Sequence, residues 1–203
     1  MASGRICVPE ATISYEADSY APNEMDALTA RLKPYAELTL DPVRMPHSTG
    51  VCEIWATIAF REPAMMGGVL DMAVQDGLAP VCAELSDWCR EVAAARVDEP
   101  EVVAIHLEFA DLLLTFDSES EAGGYLHREE IRAIPALLRE MAPRLTPFVG
   151  SASAATISAG IRANRNEAGV VRCSLARYWQ IGHAHQDPDI IYDSWRDWLY
   201  RRT

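Results

Sequence analysis

A chain of 203 residues with 49% hydrophobic side chains can bury a substantial core, in one domain or in two small ones. No apolar run approaches the roughly 18 residues of a membrane-spanning helix, and the first residues lack the apolar centre of a signal peptide. The net charge of −12 disfavours phosphate backbones and anionic lipids as partners. We therefore expect a cytoplasmic protein that binds neither nucleic acid nor a membrane.

The five cysteines support a reducing compartment. Their number is odd, and no two of them form a C-x-x-C pair. Three of them, Cys52, Cys82 and Cys89, fall on apolar faces of predicted elements, where a reduced thiol behaves as a small hydrophobic group. Structural zinc bound through cysteine is not expected.

The first part of the chain alternates between strand and helix signals. Residues 11–16 predict a short strand, and Asn23 is a suitable N-cap for a helix that ends at Pro34. Residues 36–40 alternate between apolar and polar side chains. Residues 52–60 do so more clearly, which indicates a strand with one buried and one wetter face.

The strongest helical signal lies in residues 78–92. Apolar side chains recur there at i, i+3, i+4, i+7, i+10, i+11 and i+14: Leu78, Val81, Cys82, Leu85, Trp88, Cys89 and Val92. Only an α-helix presents such a set as one face. We expect a long helical segment over 64–95, bent or broken at Asp76-Gly77.

Two apolar runs follow, at 102–109 and 112–116, and a turn at Ala110-Asp111 makes them a hairpin. Residues 128–142 then predict another helix. This order indicates an α+β protein with a mixed or mainly antiparallel sheet of five to seven strands and the helical segment 64–95 on one face.

The residue composition of the chain changes after Pro143. Residues 151–161 and 170–181 predict a second hairpin, and residues 189–201 predict a terminal helix. We therefore divide the chain into an α+β core domain, 1–142, and a C-terminal hairpin plus helix, 143–203, packed on the same domain.

The best candidate for metal chemistry is the string His183-Ala-His185-Gln-Asp187. Two imidazoles two residues apart on an extended backbone can bind one divalent metal such as Zn²⁺, and the aspartate can assist. The H-x-H-x-D string is part of the metallo-β-lactamase signature, but Pro188 stands where a further histidine is required. The alternative is a loop histidine pair without metal, in a protein that has no cofactor.

His106 and Glu108 form the candidate catalytic pair. They share the outward face of the predicted strand 102–109, where an imidazole beside a carboxylate can act as a general base. The alternative is the solvated side of a half-covered sheet.

The C-terminal aromatic residues are candidates for contact with a partner. Trp195 and Trp198 lie on the apolar stripe of the predicted terminal helix and are expected in the core. We expect three other aromatic residues to be available to a partner, because they do not lie on that stripe: Trp179, Tyr192 and Tyr200.

Over 11–142, the order of elements resembles that of the effector-associated component domains of bacterial conflict systems. The likeness covers a helix such as MDALTARLKPY, a long apolar helix such as LAPVCAELSDWCREV and a hairpin such as VVAIHLEFADLLLTF. The resemblance implies a non-catalytic adaptor that couples to an effector, and it assigns no functional residues.

Two hypotheses about function follow. The first is a non-catalytic protein-interaction module of the bacterial cytoplasm, an adaptor or an immunity-type binder of a basic partner, because the chain is acidic and carries no nucleotide-binding or nucleophile motif. The second is a small metal-dependent enzyme or ligand-binding protein that uses His183, His185 and Asp187.

Overall fold

The computed structural model describes residues 8–44, 52–61, 72–96, 100–110, 112–118, 124–145, 155–168, 170–181, 190–193 and 198–201. Three successive β-α-β units form most of this part of the chain. They are β1 Glu10–Glu16, α1 Pro22–Leu32 and β2 Glu37–Val43, then β3 Glu53–Ala59, α2 Met72–Ala95 and β4 Glu101–Glu108, then β5 Leu112–Ser118, α3 Arg128–Leu145 and β6 Ala155–Arg165. The last strands are β7 Val171–Ile181, β8 Ile190–Asp193 and β9 Trp198–Arg201.

All these strands belong to one mixed sheet in the order β2-β1-β3-β4-β5-β6-β7-β8-β9. The two strands of each β-α-β unit are parallel neighbours, and successive units meet through antiparallel pairs. The predicted fold class, α+β with a mixed sheet and a long helix on one face, is confirmed, whereas the predicted five to seven strands are too few, because the described sheet has nine. The pairing of β5 with β6 carries the sheet across the predicted boundary near residue 143.

The three helices form one layer on one face of the sheet. Polar contacts join α2 to α1 through Arg31 and Glu84, 2.8 Å apart, and to α3 through Asp87 and Arg132, also 2.8 Å apart. Every residue of the predicted apolar stripe on α2 is buried, with Trp88 only 1% exposed. That stripe packs against the alternate strand residues that face it, including Ile54, Ile58, Ile105, Leu107, Leu114 and Phe116. None of the helices described here is long and apolar enough to cross a membrane.

The described part of the predicted helical segment 64–95 begins at Met72. α2 runs without interruption through Gly77 and Pro80, so the predicted break at Asp76-Gly77 is wrong, whereas a bend there stays a prediction. Pro80 lies inside α2, where it removes one backbone donor of the helical hydrogen-bond pattern. Burial of the long apolar stripe that follows stabilises the helix despite that loss.

A polar cluster joins the start of α1 to the end of α2. The Arg96 guanidinium pairs with Glu24 and lies 5.0 Å above the ring of Tyr20. The Tyr20 hydroxyl donates to the Cys52 carbonyl oxygen at 2.6 Å, and the Trp88 indole N–H donates to the Glu24 carbonyl oxygen at 2.9 Å. Burial raises the pKa of Tyr20, so its hydroxyl stays a donor.

The predicted start of α1 needs a small correction. The helix begins at Pro22, with Ala21 in the N-cap position in place of Asn23. The Glu24 carboxylate accepts from the Ala21 backbone N–H at 2.7 Å, which satisfies one of the donors left free at a helix start.

The predicted helix over 189–201 is wrong. Residues of this segment form the antiparallel strands β8 and β9, and Trp198 begins β9. The apolar stripe that predicted this helix has four residues, Ile191, Trp195, Trp198 and Leu199, which are too few to distinguish a helix from two strands. Each strand is rich in β-branched or aromatic side chains. Trp195 lies outside the described residues. The predicted hairpin before it is confirmed as β6 and β7.

We predict that Trp88→Ala lowers the free energy of unfolding by ~3–5 kcal/mol, because it removes a fully buried ring and the indole N–H that donates to the Glu24 carbonyl oxygen. Arg90→Ala, on the exposed side of the same helix, should change it by less than about 0.5 kcal/mol. Urea denaturation of both variants checks this. Equal losses would contradict the position of α2 at the centre of the core.

Candidate functional site

The sheet has a second face, turned away from the helix layer, which we call the open face. Side chains alternate along a strand, so the neighbours of the buried residues point to this side. From β1 to β5 the open face carries Glu10, Thr12, Ser14, Glu37, Thr39, Asp41, Glu53, Trp55, Thr57, Glu101, His106, Glu108, Leu113, Thr115 and Asp117. All of them are exposed or half-buried.

A β-bulge in β4 decides which residues of that strand reach the open face. Ile54 pairs with Val102, whereas the next residue, Trp55, pairs with Ala104. The extra residue, Val103, shifts the alternation by one, so that Val102 and Ile105 both face the helices. This shift places His106 and Glu108 on the open face.

One row of side chains crosses five strands of the open face. Thr39, Thr12, Thr57, His106 and Thr115 are consecutive partners in the register of β2, β1, β3, β4 and β5. Hydrogen-bonded strands lie about 4.8 Å apart, so these side chains form a continuous polar line. His106 Nδ1 lies 2.9 Å from Thr115 Oγ1, which links the histidine to its neighbour.

The surroundings of His106 favour its neutral form. Burial lowers the pKa of His106, and the nearby Glu108 carboxylate opposes that effect only in part. Thr115 occupies one of the two ring nitrogens. The structure thus places the predicted catalytic pair on one face, and catalysis by His106 and Glu108 stays a prediction.

Carboxylates surround this row, and we call the part of the open face on β1 to β5 the acidic half. Its seven acids are Glu10, Glu37, Asp41, Glu53, Glu101, Glu108 and Asp117. Arg61, just after β3, pairs with Glu10. Burial, together with the carboxylates of Glu101 and Glu53, raises the pKa of Tyr125. Two exposed arginines on β6 and β7, Arg162 and Arg172, give the next strands the opposite charge.

The predicted metal residues His183, His185 and Asp187 lie outside the described residues, so metal binding there stays a prediction. In the ranges that the structure does describe, no three His, Cys, Asp or Glu side chains are grouped so that they could bind a metal.

The predicted partner-binding residues Trp179, Tyr192 and Tyr200 belong to β7, β8 and β9. Trp179 and Tyr200 are both register partners of Ile191, and Tyr192 pairs with Leu199. The sheet therefore brings these strands together at one end, and contact with a partner stays a prediction.

Sequence reasoning missed the row on the open face and the exposed acids of β2. The alternation over 52–60 already indicated a second face with Glu53, Trp55 and Thr57. Which residues of other strands lie beside them depends on register, and no local pattern reports it.

The chain matches no protein-family model, no curated protein and no solved structure. The resemblance to effector-associated component domains therefore depends on the order of elements alone and stays a prediction. What the protein does has to be inferred from the geometry and charge of its own surface.

We predict that His106 makes stability depend on pH below about 6.5, the ordinary pKa of histidine. Because the pKa of His106 is lowered in the folded state, the unfolded chain binds a proton more readily. Acidification from that pH therefore favours unfolding, and His106 contributes stability only above it. Denaturation of the wild type and His106→Thr at pH 7.5, 6.5 and 5.5 measures the difference. If the two proteins lose stability in parallel, the assignment is wrong.

Proposed function

We propose that this chain is a non-catalytic protein-interaction module whose acidic half binds a basic protein partner. The observation that supports the proposal most is the uneven covering of the sheet: the described helices all pack on one face, while the other face carries seven carboxylates from β1 to β5. Complementary charge speeds association and discriminates against acidic proteins.

The acidic half also offers an apolar contact. Trp55 is only half-buried although β3 lies inside the sheet, and its register partners Ser14 and Ala104 are small. Leu113, also half-buried, lies on the same face. A large aromatic side chain among polar neighbours is typical of the residues that contribute most to protein–protein binding.

The resemblance to conflict-system domains adds a biological role to this proposal. In that role the chain acts in the bacterial cytoplasm as an adaptor, or as an immunity-type binder that neutralises a basic effector. Recovery of the partner from the native host, with the variants below as comparison, tests the proposal directly.

We predict that Glu53→Gln/Glu108→Gln weakens binding of the recovered partner by about fivefold and reduces the salt dependence of the association rate, because it removes two charges from the acidic half. The matched control is Asp26→Asn/Asp76→Asn, which removes two exposed charges from the helix layer. Surface plasmon resonance at several ionic strengths measures both. If both variants weaken binding equally, only the net charge of the protein matters. If neither variant weakens binding, the acidic half is not the binding surface.

We also predict that Trp55→Ala weakens partner binding by roughly thirtyfold or more, the factor that corresponds to about 2 kcal/mol. Its free energy of unfolding should fall by much less than that of Trp88→Ala, because Trp55 is half-buried and Trp88 is not exposed. Denaturation and binding are measured on the same preparations. Normal binding by a folded Trp55→Ala variant would contradict the proposed anchor.

A further inference from the structure

The edge strand β2 has one neighbour, β1, and no described strand lies beyond it. Two hydrogen bonds show which residues of β2 turn their backbone N–H and C=O groups toward β1. The Glu37 N–H donates to the Pro9 carbonyl oxygen at 2.9 Å, and the Val43 carbonyl oxygen accepts from the Ala17 N–H at 3.0 Å. The odd-numbered residues of β2 therefore face β1. By alternation, the N–H and C=O groups of Leu38 and Leu40 point away from the sheet.

A cavity of about 580 Å³ lies beside this edge, where α1 ends over the starts of β1 and β2. Leu38 and Ala11 contribute its strand side, and Thr29 and Lys33 its helix side. Among the described residues, the layer between sheet and helices is thus open at this edge. We call the space between α1 and β2 the edge groove.

Two exposed apolar residues lie within two positions, along the chain, of residues that line the edge groove. Val8 is 55% exposed and Tyr35 is 38% exposed. Val8 is next to Pro9, whose carbonyl accepts from Glu37, and Tyr35 lies in the turn between α1 and β2. Exposed apolar groups beside a cavity and an unpaired strand edge are features of surfaces that bind extended segments.

We infer that the edge groove binds an extended segment of the protein partner by strand addition to β2. The inference rests on the proposed function and specifies the chemistry of the segment. The side chain that flanks Leu38 enters the groove, the one that flanks Leu40 lies on the same side of the sheet, and both are apolar. Side chains that flank Glu37 and Asp41, both exposed on the open face, are Lys or Arg.

The length of the added strand is limited by Pro42, which has no N–H to donate. Only Leu38 and Leu40 then supply both donor and acceptor, so the matching segment is about five residues long, basic–apolar–polar–apolar–basic. Arg44 directly follows β2, and Lys33 lines the helix side of the groove near the start of β2, so both disfavour further basic residues at the two ends of the segment. A second copy of this chain is a poor occupant, because antiparallel pairing centred on Thr39 sets Glu37 opposite Asp41.

The test uses the peptide acetyl-Ser-Lys-Val-Thr-Val-Lys-Ser-amide, with the backbone amide signals of the full chain followed by NMR. We expect the largest shifts at β2 and the end of α1, and slower hydrogen exchange at Leu38 and Leu40. The peptide with both lysines replaced by glutamate should bind at least about fivefold more weakly. The Glu37→Lys/Asp41→Lys variant should reverse that preference.

A blocked groove supplies the matched control. Thr29→Phe places a ring in the cavity and should abolish the shifts, whereas Ala30→Phe, at an exposed position on the same helix, should leave them unchanged. Both variants are first checked by thermal denaturation. Shifts that persist in Thr29→Phe, shifts confined to other strands, or concentration-dependent shifts of β2 without peptide would each overturn the inference.

These results are separable from those on the proposed function. Partner binding that depends on Glu53 and Glu108, with no peptide shifts at β2, leaves the proposed function standing and removes the edge groove. Peptide binding at β2, together with partner binding that Glu53→Gln/Glu108→Gln does not change, supports the edge groove and removes the proposed function.

Discussion

The burial of α2 is the interaction on which the rest of the structure depends. Its apolar stripe faces the sheet, and its two flanks contact α1 and α3. Trp88 connects this packing to the start of α1 through its indole N–H, and Arg96 extends the connection beyond the end of the helix. Neither α1 nor α3 has such a central position, so the order of the helix layer follows from the position of α2.

Packing every described helix on one side gives the two faces of the sheet opposite properties. The covered face is almost wholly apolar, because any unpaired polar group there would lose its water. On the helix side of this interface Glu130 of α3 is fully buried, and its carboxylate accepts from the His127 backbone N–H at 3.0 Å and from the Ser118 hydroxyl at 3.3 Å. The polar side chains of the strands are thereby collected on the open face.

The open face and the edge groove meet along β2. Glu37 and Asp41 belong to the open face through their side chains, while the backbone groups of Leu38 and Leu40 point outward, away from every described strand. A partner that lies across the acidic half can therefore reach the strand edge without leaving the surface. Charge attracts such a partner, and backbone hydrogen bonds together with apolar insertion give it a defined orientation.

The sequence by itself determined the local elements and the two sides of most of them. The stripe from Leu78 to Val92 is long enough to identify a helix and its buried face, and the alternation around Trp55 separates two faces of one strand. Both signals arise from the backbone geometry of a single element. They need no knowledge of what lies beside it.

The tertiary structure decided which elements become neighbours. The polar row through His106 exists only because five strands share one register, and the bulge at Val103 turns His106 toward that row. The segment after residue 189 became two strands where its short apolar stripe indicated a helix. In each case the deciding contacts join residues far apart in the chain, and their free energy exceeds the small preferences that a local pattern records.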